Sequence, residues 1–452
     1  MATIYEPNTH ARPLIARARG PAAPLPVLAM VFLGYLMLAP PQFNPMIGGS
    51  SLPPYRIFLL GSSLFVLASV FGGRVRLAWP DILMALALAW ISFAMSMTST
   101  AEEAFTASVA HFADIGFAYF FARAAIRNLR DFRIFLLLMA PGLLILAAFL
   151  VIESVTQQHI IQPFFSKITG IGWSYRSDPR LGLMRAQGPF PHPILAGVFL
   201  ASFICLYWMS GLHRLPRLVG VIAALCSFFT VSAATLIAIV LSVSLLVYSW
   251  LTERITNVSW RLFFAIAGIF VFAAETGTNS GTFRLIIRYA SFSQDSGGNR
   301  VNIWKYGSES VANHPWFGIG YGDWVRAPWM GDSVDNFWLL MAMRFGLPAA
   351  FLIFMAMIIA ILGLMRRSMQ SNLVDSRAER GVAMALSVFA MTLVSVALWL
   401  SAQSWFYMLL GIAVSLANAP RPILRPARPV ALPVLDLATR EHPLGSVPRP
   451  PS

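Results

Sequence analysis

"SVDNFWLLMAMRFGLPAAFLIFMAMIIAILGLMRR", residues 333–367, opens on an acid and an amide, Asp335 and Asn336, and closes on two arginines, Arg366 and Arg367. Between them the stretch 336–364 is apolar almost throughout. A bilayer's hydrocarbon layer takes roughly 20 helical residues to cross. The stretch is longer than that, so it reads as a membrane span that is tilted or broken, with the break near Gly346 and Pro348. Arg344 lies inside it. A guanidinium is costly against lipid, so this one is expected to face the protein interior or a polar cavity.

The rest of the chain has the same character. Of 452 residues, 57% are apolar and only 12% are charged, where a soluble domain carries about 25% charge. Further apolar runs fall at 24–40, 55–72, 78–97, 108–126, 132–153, 191–210, 215–233, 235–251, 260–276, 381–400 and 402–419. The expectation is an all-α polytopic integral membrane protein with about 12 transmembrane helices. The first run follows a basic, polar stretch and lacks a small-residue cleavage signal, so it reads as a span and not as a removed signal peptide. Cys205 and Cys226 lie within apolar runs, which gives neither a disulfide framework nor a metal-ligand spacing. No cofactor is called for.

The formal net charge of +14 would suggest nucleic acid in a soluble protein. Here the cations sit in short loops between spans, so they report orientation, and no nucleic-acid partner is expected. With the N-terminus cytoplasmic, one set of loops holds Arg74 and Arg76, Arg123 to Arg133, His213 to Arg217, Arg254, and Arg366 to Arg380. The opposite turns at 41–54 and 98–107 hold no Lys or Arg. This is the positive-inside pattern with both termini cytoplasmic. It divides the chain into a basic N-terminus, 1–23, a transmembrane region, 24–419, and a Pro/Arg-rich tail, 420–452, whose composition predicts disorder.

Two long outside loops, 154–190 and 277–335, break the charge pattern. The first carries Arg185 near its end, the second Arg284, Arg288, Arg300 and Lys305. Arginine offers a fixed donor fork for phosphate oxygens, so these loops suit an anionic ligand held near the bilayer, such as a lipid-linked phosphate or diphosphate. Arg284 and Arg288 are four apart and share a face if helical. Their segment is either an amphipathic element that holds such a ligand or a basic surface that touches headgroups only. "NRVNIWKYG" reads as a helix bearing Arg300, Trp304 and Lys305, with Trp304 either stacking on a sugar or anchoring the interface. Gly318, Gly320 and Gly322 then permit tight turns near a ligand, without the spacing of a nucleotide loop.

Three further side chains invite a chemical role. His192 stands between two prolines where the chain enters the membrane. It is a candidate base or phosphate donor, or a helix cap. Asp335 is a candidate base at the mouth of its span, or a cap for the helix that follows. Arg344 either pairs with Asp114 or lines the approach for a lipid diphosphate, and each also admits a purely structural role.

"GPFPHPILAG", "NRVNIWKYG…ANHPWFGIGYG" and "DNFWLLMAMRFGLPA", in that order and with a large loop before the last, resemble the O-antigen ligase and O-antigen or exopolysaccharide polymerase superfamily of bacterial inner membranes. The basic "FARAAIRNLRDF" at 121–132 is also usual there, and the resemblance covers about 24–419. It implies a GT-C-like architecture and metal-independent, inverting glycosyl transfer on the periplasmic face. The donor it implies is a glycan on undecaprenyl diphosphate. A ligase moves that glycan to lipid A–core, and a polymerase moves it to another lipid-linked repeat unit. On this reading Asp335 and His192 are the catalytic candidates, and Arg185, Arg284, Arg288, Arg300, Lys305, Trp304, Asn336 and Arg344 hold substrate. Membrane lipids, a flippase and a chain-length regulator of the same pathway are the implied partners.

The chain departs from the ligase pattern in two places. Ligases carry a histidine and a small polar residue, followed at fixed spacing by G-x-x-G. Here Asp335 and Asn336 precede Gly346, and Ala349 replaces the last glycine. Ligases also carry an arginine after a serine at the outer end of an earlier span, where "TVSAATL" has Ala233 and Ala234 after Ser232. Both departures favour a polymerase. A ligase, or a transporter of lipid-linked sugars, is the alternative.

Overall fold

The structure, a computed structural model, describes residues 23–47, 50–172, 179–256, 258–277 and 294–420. It is helical apart from a two-residue ladder pairing Met46–Ile47 with Ser50–Ser51 and one isolated bridge between Arg180 and Leu183. In chain order the helices are α1 (Leu25–Leu36), α2 (Pro54–Gly61), α3 (Ser63–Phe71), α4 (Trp79–Thr98) and α5 (Ala101–His111). A π-helical turn, Phe112–Phe117, carries α5 into α6 (Ala118–Ala125). Then come α7 (Leu129–Thr156), α8 (Ile161–Thr169), α9 (Pro193–Ala201), α10 (Phe203–Met209), α11 (Arg214–Leu225), α12 (Ala233–Arg254) and α13 (Trp260–Gly277). The last four are α14 (Gln294–Asn313), α15 (Phe337–Ser368), α16 (Leu373–Thr392) and α17 (Leu400–Asn418).

Among the described residues, 6 helices are long and apolar enough to cross a membrane: α4, α5 with α6, α7, α12, α15 and α17. The pair α2 and α3, bent by 42°, makes up to 7. Leu25–Leu36, Pro193–Met209 and Trp260–Ile269 are apolar but shorter. The chain is thus an α-helical polytopic membrane protein, and the expected count of about 12 is not reached by length and apolarity. The shortfall has local causes. The apolar run at 215–233 divides into α11 and a 3-10 turn, Cys226–Thr230. The run at 381–400 does not become one helix, because α16 starts earlier, on the Asn372 cap, and stops at Thr392. The irregular turn that follows has another use: Phe337 N–H, at the start of α15, donates to Leu393 O (2.9 Å) and Val396 O (3.0 Å). The two loops expected to be long also contain α8 and α14.

The core is centred on α17, which is buried along nearly all its length. Trp405 stacks on Phe203 with ring centroids 4.7 Å apart and lies beside Phe199 and Phe135. At the arginine-rich end, Arg123 of α6 forks onto Asp81 of α4 at 2.8 and 2.7 Å, while Tyr119 donates to the same carboxylate at 2.7 Å. Arg123 also donates to Ser415 Oγ of α17 at 3.0 Å and to Arg76 O at 2.7 Å. It was expected among loop cations. It is instead buried in the last turn of α6, a clamp on three helices. Removing one partner of such a pair costs about 3–5 kcal/mol, because a buried charge is left alone.

The break expected in α15 falls at Gly346, with φ 81° and ψ 167°. A helix that breaks inside a bilayer must find donors for its freed carbonyls. The segment 315–320 supplies them. Ile319 N–H donates to Met343 O (2.8 Å) and Gly320 N–H to Arg344 O (3.0 Å), while Leu347 N–H returns a bond to Pro315 O (2.8 Å). Trp90 of α4 donates its indole N–H to Phe345 O (3.1 Å) and Trp316 O (3.2 Å), and its ring stacks on Phe317. A Cβ at Gly346 would collide with the Trp316 carbonyl, and one at Gly318 (φ 66°) with the Met343 carbonyl.

Gly346→Ala is therefore expected to lower stability by at least about 1 kcal/mol, the ordinary cost of a side chain in the left-handed region, and by more where backbone must shift. Gly318→Ala should behave likewise. Gly268→Ala, where a Cβ meets nothing within 4 Å, should be neutral. Thermal midpoints of the three purified variants in detergent check this.

Candidate functional site

Working outward from α15, the first candidate group is Arg300 with Asp335. Asn336 caps α15, accepting Leu339 N–H on Oδ1 at 3.0 Å. That leaves Asp335, one residue earlier and only partly buried, outside the capping geometry. Asn336 itself is buried. Arg300 is buried on α14 and feels the attraction of the Asp335 carboxylate and the repulsion of Arg180. Burial is the largest influence on its guanidinium and pulls its pKa down, with Asp335 opposing. α14 reaches this position through a small second core in which Ile303 and Val311 pack with Leu339, Ala342, Met343 and Trp324. Gly307 makes the approach possible, since a Cβ there would lie 2.7 Å from Leu339 Cδ2. Trp304 and Lys305 of the same helix are exposed, and the Lys305 ammonium lies 5.3 Å from the Tyr306 ring centre.

Arg185 is buried on an extended segment that a single carboxylate organises. Glu153, near the end of α7, accepts Ile160 and Ile161 N–H on one oxygen (3.1 and 3.3 Å) and Gln187 and Gly188 N–H on the other (3.2 and 2.9 Å). Gln162 of α8 donates to Gly188 O and Phe190 O, both at 3.1 Å, and receives Gln42 at 2.7 Å. Four backbone amides on one buried carboxylate turn the expected loop into a fixed wall. His192 begins α9: its Nδ1 accepts Ile194 N–H at 3.2 Å, and its ring leans on Trp399. Arg284 and Arg288 lie outside the described residues.

The second group lies around Arg344. Of the two placements expected for Arg344, the pair with Asp114 is not found among the described residues. Arg56 of α2 takes that carboxylate, at 2.5 and 3.1 Å, and Ser404 adds a bond at 3.4 Å. The Arg56 fork meets both carboxylate oxygens, so it neutralises Asp114. The Arg344 guanidinium lies 4.9 Å from the ring centre of Tyr321, whose hydroxyl is hydrogen-bonded to His111 Nε2 at 3.0 Å. Tyr321 is half exposed, and its phenol is neutral at neutral pH. Arg56, His111 and Tyr321 were not among the residues expected at a site. Arg56 had a signal: it stands two residues inside an apolar run, after "SLPP", as anomalous there as Arg344 in its own span.

A cavity of 190 Å³ lies against this second group, lined by Arg344 and Tyr321 together with Gly320, Asp323, Trp324 and Val334. Asp323 carries an ion pair with Arg326, which holds its carboxyl below the ordinary range. The region therefore offers a carboxylate that acts electrostatically on a buried guanidinium, and a second guanidinium on an aromatic face that lines a recess. Such a set can hold an anion and receive a proton from a neighbouring hydroxyl.

Residues 218–354 match the model of the O-antigen ligase family. That stretch holds Arg300, Asp335, Asn336 and Arg344, while Arg56, His111, Arg185 and His192 fall outside it. A search of curated proteins finds no match. The matched stretch is similar to an O-antigen ligase domain, and the chain around it carries several helices long and apolar enough to cross a membrane. The family is glycosyltransferase-like and implies lipid-linked glycan substrates.

A cap needs only an acceptor at the first turn, so His192→Asn, which retains one, is expected to keep glycan transfer near the parent level. His192→Ala should lose about 1 kcal/mol of stability with transfer per folded molecule little changed. Loss of transfer in both variants, measured in reconstituted vesicles, would give the imidazole a chemical role.

Proposed function

We propose that the chain is a polysaccharide polymerase that joins oligosaccharide repeat units carried on undecaprenyl diphosphate, by metal-independent inverting transfer at the periplasmic face of the inner membrane. The observation that carries the reading is Arg300 beside Asp335 at the mouth of α15, within the stretch similar to an O-antigen ligase domain. A diphosphate that engages the Arg300 fork brings its sugar carbon next to the carboxylate. The acceptor hydroxyl gives its proton to Asp335 as its oxygen attacks the anomeric carbon from the side opposite the diphosphate. The carbon–oxygen bond to the diphosphate breaks, and the electron pair stays on the departing phosphate oxygen. The products are the lengthened glycan and undecaprenyl diphosphate, with the proton on Asp335. Arg300, with Arg185 and Arg344, meets the charge that develops on the leaving group. Arg284, Arg288 and Lys305 are assigned to the same donor, and Trp304 and Asn336 to the sugar side.

The same reading puts both termini in the cytoplasm, following the arginine loops. It makes 24–419 the membrane body of a GT-C-like enzyme, in which α1, α9 with α10, and α13 serve as thin crossings beside the longer spans. A flippase supplies its substrate and a chain-length regulator acts on its product. A ligase is the second reading, and the matched family's own description favours it. Asp335 in place of the ligase histidine and Ala349 in place of a glycine favour the polymerase.

Reconstituted with lipid-linked repeat units, Asp335→Asn is expected to lose about 10²–10⁴-fold in transfer rate, the usual worth of a positioned base. Arg300→Lys keeps the charge but not the fork and should lose at least about tenfold. Undiminished transfer by Asp335→Asn removes it as base. A strain lacking the gene should show single repeat units at its surface. Full-length polymer left on its lipid carrier would instead identify a ligase.

A further inference from the structure

A second cavity, of 380 Å³, opens at the arginine-rich end of the bundle, where α10, α11, α12 and α16 meet. It lies by the first turns of α16, and the turn that receives Phe337 is at that helix's other end, roughly 30 Å away. Its wall includes two tryptophans, Trp208 and Trp250, two arginines, Arg217 and Arg377, and one carboxylate, Glu253. Each tryptophan is 50% exposed, as indoles are at the depth of lipid headgroups. The Arg217 guanidinium lies 5.9 Å from the Trp208 ring centre and that of Arg254 lies 4.4 Å from Trp250.

The charges do not balance. Glu253 is shared by Arg377, at 2.5 Å, and Arg380, at 2.6 Å. Asp375, nearby, is taken by Arg133 at 2.7 Å. Arg217 is left over. Its Nε is buried, and its side chain makes no hydrogen bond or ion pair among the described residues. A buried guanidinium N–H without an acceptor is costly, and a phosphate oxygen is its natural partner. Basic recesses between spans, at headgroup depth, fit anionic lipids.

We propose that this cavity binds the phosphate of an anionic membrane phospholipid, with the phosphate on Arg217 and Arg377 and the acyl chains lying along the groove past Leu246. The bound lipid ties α11 and α12 to α16, and so braces the helix whose far end caps α15. The inference does not depend on what the chain transfers or at which face.

Native mass spectrometry of the full-length purified protein tests it, with phosphatidylglycerol, phosphatidylcholine and inorganic phosphate as probes. Wild type should retain phosphatidylglycerol in preference to phosphatidylcholine and gain thermal stability from it. Arg217→Gln should weaken that retention by about tenfold, the effect of one charge-assisted contact, and lose the thermal gain. Arg261→Gln, an exposed arginine outside the cavity, should retain the lipid as wild type does. If Arg217→Gln does not fold, Trp208→Leu removes one wall of the cavity and should weaken retention in the same direction. Equal retention of both lipids, retention unchanged in the cavity variant, or the same thermal gain from inorganic phosphate alone would each overturn the proposal. The last would mark a free-anion site.

Discussion

Inside a bilayer no water waits to receive a broken helix's carbonyls, and the region around the start of α15 is arranged around that fact. α15 breaks at Gly346, and the backbone of 315–320 inserts its N–H groups where the next helical turn would have been. The splice needs glycine on both sides. Gly346 must leave room for the Trp316 carbonyl, and Gly318 for that of Met343. Once it is made, the rest follows in sequence. The loop carries Tyr321 to Arg344, and α14 comes down against Leu339 and Met343 through Gly307. Arg300 thereby arrives beside Asp335.

Among the described residues, two forked pairs between distant helices, Arg123 with Asp81 and Arg56 with Asp114, hold buried charge. Each joins helices far apart in sequence, and each has hydroxyl support, from Tyr119 and Ser404 respectively. Paired this way, the charges are held in register at a cost the burial can bear. Arg56 neutralises Asp114, and Arg344, with no carboxylate of its own in the described contacts, lies against an aromatic face. A guanidinium so placed keeps its donors for a ligand.

Much of this was legible in the residues. Long apolar runs mean helices in lipid whatever their neighbours, so the class could be read at once. The break near Gly346 and Pro348 and the interior placement of Arg344 followed from helix geometry and the cost of a charge in lipid. The number of crossings was less readable. Runs such as 215–233 and 381–400 are apolar enough to span, but their ends are spent on turns that serve other helices, as Leu393 and Val396 serve Phe337. That is a tertiary demand with no local mark. The partner of Asp114 was missed for the same reason: Arg56 and Arg344 are both anomalous in sequence, and only packing chooses between them. Glu153 gave no sign at all, since its four amide partners come from two separate stretches of backbone. Asn336 as the cap was partly readable, because acid and amide stand side by side and either can fill the role.

The bond from Phe337 to the turn before α17 has a mechanical meaning. One backbone N–H grips two carbonyls of a neighbouring stretch, so the start of α15 is pinned to the end of α16 and the turn that follows it. The splice pins the same short stretch again at Met343 and Arg344. Two anchors on so few residues make this half of the recess stationary, like the fixed jaw of a vice. On the proposed function, whatever travels to admit a lipid-borne glycan is then the opposing side.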